Sequence, residues 1–249
     1  IEDAGDSLAT IMMGGVNFLT GQILDMAAIA DAGHKVGALV GFDLAHAAGN
    51  IPMALHDWDI DFGAWCSYKY LNSGPGSLAG VFIHEKHHKS SLPRFAGWWG
   101  HNKENRFQMP DKFDPIPSAE SWQLSNAPIL AMAAHKASLD LFSEVGMRKL
   151  RNKSILLTQY MEYIIHYINE NYKSKLEIIT PKNINERGCQ LSIIAHGFGK
   201  ELFEKLSENH IVVDWREPNV IRAAPVPFYN SFEDVFKFGE VLKNILNEH

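Results

Sequence analysis

Asp43 and Lys69 are the residues in this sequence best placed by type and spacing to do chemistry. Each closes an apolar run, Val36–Phe42 before the aspartate and Phe62–Tyr68 before the lysine. Continuous apolar runs of this length read as strands buried on both faces. Both polar residues then stand at carboxyl ends of strands, where open α/β sheets bind their ligands. A lysine at such a position is costly unless it is paired or gives up its proton. Deprotonated, it is an amine able to join a carbonyl carbon as a Schiff base. An aspartate on a neighbouring strand end suits the protonated pyridine nitrogen of a pyridoxal cofactor. The same two residues would equally make a plain ion pair at the sheet edge. His46, three residues beyond Asp43, and Tyr68, next to Lys69, are candidates to reach the same ligand. The glycine-rich turn Asn72-Ser73-Gly74-Pro75-Gly76 permits close backbone approach.

Elements that would position these groups follow from the same patterning. Leu8–Met13 is a short apolar run, and Thr20 caps a helix predicted over Gln22–Ala32 and stopped by Gly33. The strands Val36–Phe42, Phe62–Tyr68 and Leu78–Ile83 follow, which predicts a largely parallel sheet with flanking helices. Residues 85–121 are irregular, punctuated by four prolines, and carry Trp98, Trp99 and Arg106. A loop of that length inside a compact domain is more often functional than idle. Ser125-Asn126-Ala127-Pro128 opens a helix through Glu144, and after Gly146 a second runs to about Asn171. The remainder reads as a small α+β unit: strands Leu176–Thr180, Gln190–Ala195, Ile211–Asp214 and Val220–Ala224, with helices Lys200–Asn209 and Phe232–Leu246.

Composition narrows the class. The 249 residues are 46% hydrophobic and 21% charged, an ordinary globular balance with room for one large domain or two small ones. Lys and Arg number 23 against 29 Asp and Glu, a formal net charge of −6, and no basic block offers an electrostatic footprint for nucleic acid. No apolar stretch approaches the roughly 20 residues of a membrane span. The acidic opening, Ile1-Glu2-Asp3-Ala4-Gly5-Asp6, is unlike a signal peptide. A cytoplasmic setting is therefore the expectation, with no membrane or nucleic-acid partner. The chain opens without Met, which predicts a piece of a longer protein. Two cysteines, Cys66 and Cys189, exclude a disulfide scaffold, a four-cysteine zinc site and a CxxC redox motif. Both lie in strand-like runs and read as small buried hydrophobes.

Two rival chemistries have a foothold. His84-Glu85-Lys86-His87-His88 satisfies H-E-x-x-H, the zinc-peptidase pattern, with His101 or Glu104 as a third ligand. That chemistry needs both histidines one helical turn apart on one face. Here the motif follows a strand and Pro93 stops any helix soon afterwards. A desulfurase would want a reactive cysteine on a mobile loop, and neither cysteine is so placed.

Longer runs around the candidate residues resemble the kynureninase family. They are Gly41-Phe42-Asp43-Leu44-Ala45-His46-Ala47-Ala48-Gly49-Asn50 and Trp65-Cys66-Ser67-Tyr68-Lys69-Tyr70-Leu71-Asn72. Gly97-Trp98-Trp99-Gly100-His101, Leu124-Ser125-Asn126-Ala127-Pro128 and Ile221-Arg222-Ala223-Ala224-Pro225-Val226-Pro227-Phe228-Tyr229-Asn230-Ser231 extend the likeness over nearly the whole chain. The resemblance implies a pyridoxal 5'-phosphate enzyme of the aminotransferase-like fold. It implies hydrolysis of L-kynurenine, and by extension 3-hydroxykynurenine, to an anthranilate and L-alanine in tryptophan catabolism. Other enzymes of that fold, desulfurases or aminotransferases, are the nearest alternatives.

Residue by residue, the resemblance makes Lys69 the cofactor-bearing lysine and the base at the substrate Cα. It makes Asp43 the partner of the pyridine nitrogen, with His46 beside the cofactor. Tyr68 would touch the phosphate and supply a proton. Trp98 and Asn126 would reach cofactor or substrate across a homodimer interface, and His101 would line the substrate site. Arg222 would grip the substrate carboxylate as a fork. One position departs from the family: Gly14 stands where relatives often carry a serine touching the cofactor. The resemblance also assigns residues 1–145 to the C-terminal part of a cofactor-binding large domain and 146–249 to a connecting helix and small domain. The main phosphate-binding loop would lie in an N-terminal part outside this chain, so the isolated chain is expected to be inactive.

Overall fold

The computed structural model describes residues 1–91, 93–172 and 174–247 and divides into two units. The first comprises residues 1–15, 25–48 and 53–141; the second comprises 16–24, 49–52 and 142–249.

The first unit is built on a four-stranded sheet of β1 (Thr10–Gly14), β2 (Leu39–Asp43), β3 (Phe62–Cys66) and β4 (Ala79–Ile83), in that spatial order. The first three strands are parallel and β4 runs antiparallel to β3. The connection from β3 to β4 contains no helix to carry the chain back along the sheet, so the strand returns in the opposite sense. Ile11, Val40, Phe42, Leu44 and Ile60 are buried, and helix α1 (Met26–Lys35) contributes Met26 and Ala30 to the same core.

Helix α1 starts later than the predicted Gln22. Gln22 and Ile23 are held extended by bridges to Arg187 and Val16, and Thr20 caps only a turn, its hydroxyl accepting from Gln22 N–H at 3.2 Å. The N-cap is Asp25, whose Oδ1 accepts from Ala28 N–H at 3.0 Å. Helix α2 (Ile129–Val145) follows the irregular stretch, and α3 (Met147–Asn171) resumes after Gly146, as predicted.

The second unit carries β5 (Leu176–Ile178), β6 (Leu191–Ala195), α4 (Glu201–Glu208), β7 (Asp214–Arg216), β8 (Val220–Ala223) and α5 (Phe232–Asn247). The sheet order is β5-β6-β8-β7, antiparallel throughout. Leu157, Met161 and Ile165 of α3, Leu202 and Leu206 of α4, and Phe238 and Leu242 of α5 bury against Leu191, Ile193 and Ile221. The predicted strand Ile211–Asp214 is displaced: Ile211 N–H returns to the Leu206 carbonyl at 2.9 Å to close α4, and pairing begins only at Asp214.

Candidate active site

Asp43 ends β2 in register with Gly14 on one side and Ala64 on the other, at the middle of the parallel strands' carboxyl ends. Its side chain is exposed, and Oδ1 accepts from Ala45 N–H at 2.8 Å, turning the chain away from the strand. Gly15 N–H donates to the Asp43 carbonyl at 2.8 Å, and Leu44 N–H to that of Ala64 at 2.7 Å. The backbone beneath the carboxylate is therefore fixed from both neighbouring strands. His46 follows, half-buried, with its ring edge-on to that of Tyr70 at 5.8 Å. The residue after Lys69 thus touches the histidine that follows Asp43.

Strand β3 ends at Cys66, two residues earlier than predicted, and Lys69 lies on a closed loop beyond it. Ser73 N–H donates to the Ser67 carbonyl at 3.1 Å, and Asn72 N–H to that of Lys69 at 2.9 Å. At the base of the loop the buried Ser67 hydroxyl donates to the Leu78 carbonyl at 2.6 Å. On its far side α2 clamps it: Ser73 Oγ pairs with His135 Nδ1 at 2.8 Å, and Ser138 Oγ donates to the Leu71 carbonyl. The backbone of the half-buried lysine is held, as a nucleophile on a rigid scaffold requires.

Tyr68 is half-exposed. A hydrogen bond with the Cys66 thiol raises the phenol's pKa above its ordinary value, and the Asp43 charge adds to the shift. Tyr68 therefore keeps its proton at neutral pH and is equipped to donate it. Asp43 and Tyr68 are near enough to interact electrostatically, His46 packs on Tyr70, and Lys69 lies between Tyr68 and Tyr70 on the same loop.

Trp98, His101 and Asn126 lie on the long loop of the same unit. Gly97 and Gly100 let the Trp98–Trp99 segment press against the chain just before Asn126. A Cβ on Gly97 would fall 2.3 Å from Leu124 Cα, and one on Gly100 2.6 Å from the Ser121 carbonyl oxygen. Trp98 packs edge-on against Phe107 at 5.4 Å. Arg106 is buried beneath the segment, its guanidinium 4.8 Å from the Trp99 ring centre, and donates to the carbonyls of Trp99 and His101 at 3.0 and 2.8 Å. His101 is buried; Nδ1 accepts from Asp114 N–H at 3.3 Å, while Nε2 has no hydrogen-bond partner among the described residues. Asn126 is exposed.

Arg222 belongs to the second unit, on β8, opposite Ser192 of β6 and Asp214 of β7. Its Nε donates to Asp214 Oδ2 at 2.7 Å, Nη2 reaches the same oxygen, and Nη1 donates to the Phe18 carbonyl at 2.6 Å. It is a half-buried guanidinium held on two sides, not a loose surface arginine.

The zinc-peptidase pattern does not form its site. Glu85–His87 is a single 3-10 turn, so His84 and His88 do not share a helical face. His84 Nδ1 accepts from Lys86 N–H at 3.2 Å, and His88 Nε2 donates to the Ile83 carbonyl at 3.0 Å. The turn instead surrounds Asp61, a buried carboxylate in the segment entering β3. His34 Nε2 lies 2.8 Å from Oδ2; His87 Nε2 and Lys86 Nζ lie 2.7 and 2.8 Å from Oδ1; Val40 N–H donates to Oδ2 at 2.6 Å. Nor does either cysteine suit a desulfurase nucleophile. Cys66 is in a strand, and burial pushes the Cys189 thiol up to about 12.

Sequence reasoning missed Ser73, His135, Ser138 and Asp214. Ser73, His135 and Ser138 act across more than 60 residues, and no local spacing marks them. Only Asp214, an acidic residue at a strand terminus, left a signal.

Residues 150–242 match the family described as Kynureninase C-terminal domain. The chain is 58% identical over its whole length to a kynureninase of Flavobacterium psychrophilum and 50% identical over 99% of its length to one of Rattus norvegicus. It spans 59% and 54% of those relatives. A cysteine desulfurase from Escherichia coli superposes with a TM-score of 0.81 at 16% identity, covering 99% of this chain and 61% of that one. An alanine–glyoxylate aminotransferase from Nostoc sp. gives 0.69 at 19% identity, covering 96% and 62%. These two share the fold.

Proposed function

The chain belongs to the kynureninase family, and on that footing we propose that the protein containing it hydrolyses the Cβ–Cγ bond of L-kynurenine, or its 3-hydroxy derivative, with pyridoxal 5'-phosphate. One water is consumed, and anthranilate (or 3-hydroxyanthranilate) and L-alanine are released, a step of tryptophan catabolism leading toward NAD.

The observation that carries this reading is the joining of two strand ends. A fixed carboxylate at Asp43 ends the strand beside β3, and Lys69 follows β3 on a loop closed by its own backbone and clamped by α2. These residues fit the cofactor. Asp43 offers a carboxylate to a pyridine N–H, Lys69 an amine to an aldehyde, and Tyr68 a protonated phenol to a phosphate oxygen. Bound there, pyridoxal phosphate supplies the electron sink for charge left at the substrate Cα.

The other tasks fall to the chain. Lys69 takes the Cα proton. Asp43 keeps the ring nitrogen protonated, with His46 supporting the same face. Tyr68 delivers a proton to the departing alanyl carbon. His101 turns its unpartnered Nε2 to the substrate, Trp98 and Asn126 complete the cofactor and substrate site from a second copy in a cytoplasmic homodimer, and Arg222 binds the α-carboxylate. Residues 1–145 then serve as the C-terminal part of the cofactor-binding domain and 146–249 as a connecting helix and small domain. Gly14 keeps a backbone N–H beside Asp43 but offers no hydroxyl.

Borohydride reduction of the full-length protein with pyridoxal phosphate, followed by peptide mapping, tests this directly. A pyridoxyl adduct on Lys69 alone is expected. Adduct on other lysines, or turnover surviving in Lys69→Ala, would refute it.

A further inference from the structure

Arg222 is more tightly organised than gripping a carboxylate would by itself require. Its side chain is 10% exposed and lies between Asp214 on β7 and Ser192 on β6, each directly opposite it in register. The Asp214 carboxylate takes the Nε–H and one Nη2–H, both on the same oxygen, Oδ2. That oxygen is also 3.2 Å from Arg216 Nε, so it does not depend on Arg222 for its only cation.

On the other side, the Phe18 carbonyl takes one Nη1–H. That carbonyl is itself fixed. Gln190 Nε2 donates to Phe18 O at 3.1 Å and to Leu19 O at 3.3 Å, and Ser192 Oγ donates to Leu19 O. Asn17 Oδ1 closes the turn by accepting from Leu19 and Thr20 N–H at 2.9 and 3.0 Å. Of the five guanidinium N–H groups, two remain without a partner among the described contacts, one on each terminal nitrogen. Two terminal N–H groups are what a carboxylate takes as a bidentate fork.

We propose that Asp214 is a positioning residue for substrate capture. It holds the Nε side of Arg222 so that the two remaining N–H groups are presented to the substrate α-carboxylate, with the Phe18 carbonyl as the opposing strap. Asp214 itself touches neither substrate nor cofactor. The inference rests on the reading of Arg222 as the carboxylate fork. A guanidinium whose orientation is settled before binding loses less rotamer freedom when the ligand arrives, which strengthens capture without altering the chemical step.

The test compares L-kynurenine with its α-carboxamide in the full-length enzyme, using Asp214→Asn, Asp214→Glu and Arg222→Gln. Asp214→Asn should raise KM for L-kynurenine about tenfold, the lower end of what a charge-assisted hydrogen bond contributes. Its kcat should stay within about twofold, and kcat/KM for the carboxamide should be unchanged, because removing an uncoupled orienting group leaves the chemical step alone. Asp214→Glu should recover part of the KM. An equal loss on both substrates that Glu does not relieve would mean a purely structural role and overturn the proposal. A lowered KM would also overturn it, by making Asp214 a competitor of the substrate. Arg222→Gln separates the two layers. If Arg222→Gln lowers kcat/KM equally for acid and amide, the carboxylate reading of Arg222 falls. If it lowers the acid selectively and Asp214→Asn does not, only the role of Asp214 falls.

Discussion

Replacing Asp61 by Asn should destabilise the first unit by about 3–5 kcal/mol, the range for breaking a buried ion pair by removing one partner. The side chain is only 3% exposed and accepts from Val40 N–H, faces Lys86 Nζ, and pairs with His34 and His87. An asparagine keeps one acceptor but turns an NH₂ toward groups that are themselves donors. Burial alone would raise the Asp61 pKa; Lys86, the Val40 N–H, His87 and His34 overcome it and hold the carboxyl well below the usual carboxylate range.

The sign of the pH effect follows. A depressed pKa gives stability that is fully present above the unfolded value of about 3.9 and is lost as pH falls toward the folded value. Moving from pH 7 to pH 3 should cost wild type about 1.2 kcal/mol through this group, roughly 0.9 pH unit at 1.36 kcal/mol each, and Asp61→Asn nothing. Urea unfolding of both proteins at the two pH values measures the gap. Exchange of the Val40 amide reads the same bond locally and should accelerate at least a hundredfold in the variant, since each 1.36 kcal/mol is about tenfold. A gap of the same size at both pH values, or an unchanged Val40 exchange rate, would refute the reasoning.

Two further perturbations probe other features. Gly97→Ala should cost about 1–3 kcal/mol and alter the near-ultraviolet circular dichroism of Trp98 and Trp99, because its Cβ meets Leu124 backbone at 2.3 Å; an unchanged spectrum and melting point would remove the close approach. A thiol reagent at pH 8 should label Cys66 long before Cys189, which burial keeps as a thiol and which should react only on unfolding; equal rates would contradict that burial.

Much of the site was legible because buried parallel strands announce themselves as unbroken apolar runs, and the polar residue that ends each is conspicuous. Asp43 and Lys69 were found that way, α2 by its Ser125-Asn126-Ala127-Pro128 start and α3 by the break at Gly146. What escaped was structure made by pairing at a distance. Gln22 and Ile23 have the composition of a helix start but are drawn into bridges, so Asp25 caps instead. The direction of β4 depends on what its connection lacks. Asp61 carries no local signal in Asp59-Ile60-Asp61, and only the fold shows it enclosed by histidines from two other segments. The H-E-x-x-H pattern was legible as a poor zinc site from its setting after a strand and before Pro93, and the fold makes it a single 3-10 turn.

The second unit takes two short pieces, residues 16–24 and 49–52, from far up the chain. Their partners are Gln190, Ser192 and Arg222 for the Phe18–Leu19 carbonyls, and Cys189 N–H for Asn50. During synthesis those pieces leave the ribosome well before the strands that receive them: Leu19 and Ser192 are 173 residues apart, Asn50 and Cys189 139. At roughly 5–20 residues per second that is a wait of about 7–35 s. Nascent chains halted before residue 189 should therefore leave Phe18 and Asn50 open to protease, with protection arriving in one step once β8 has been made.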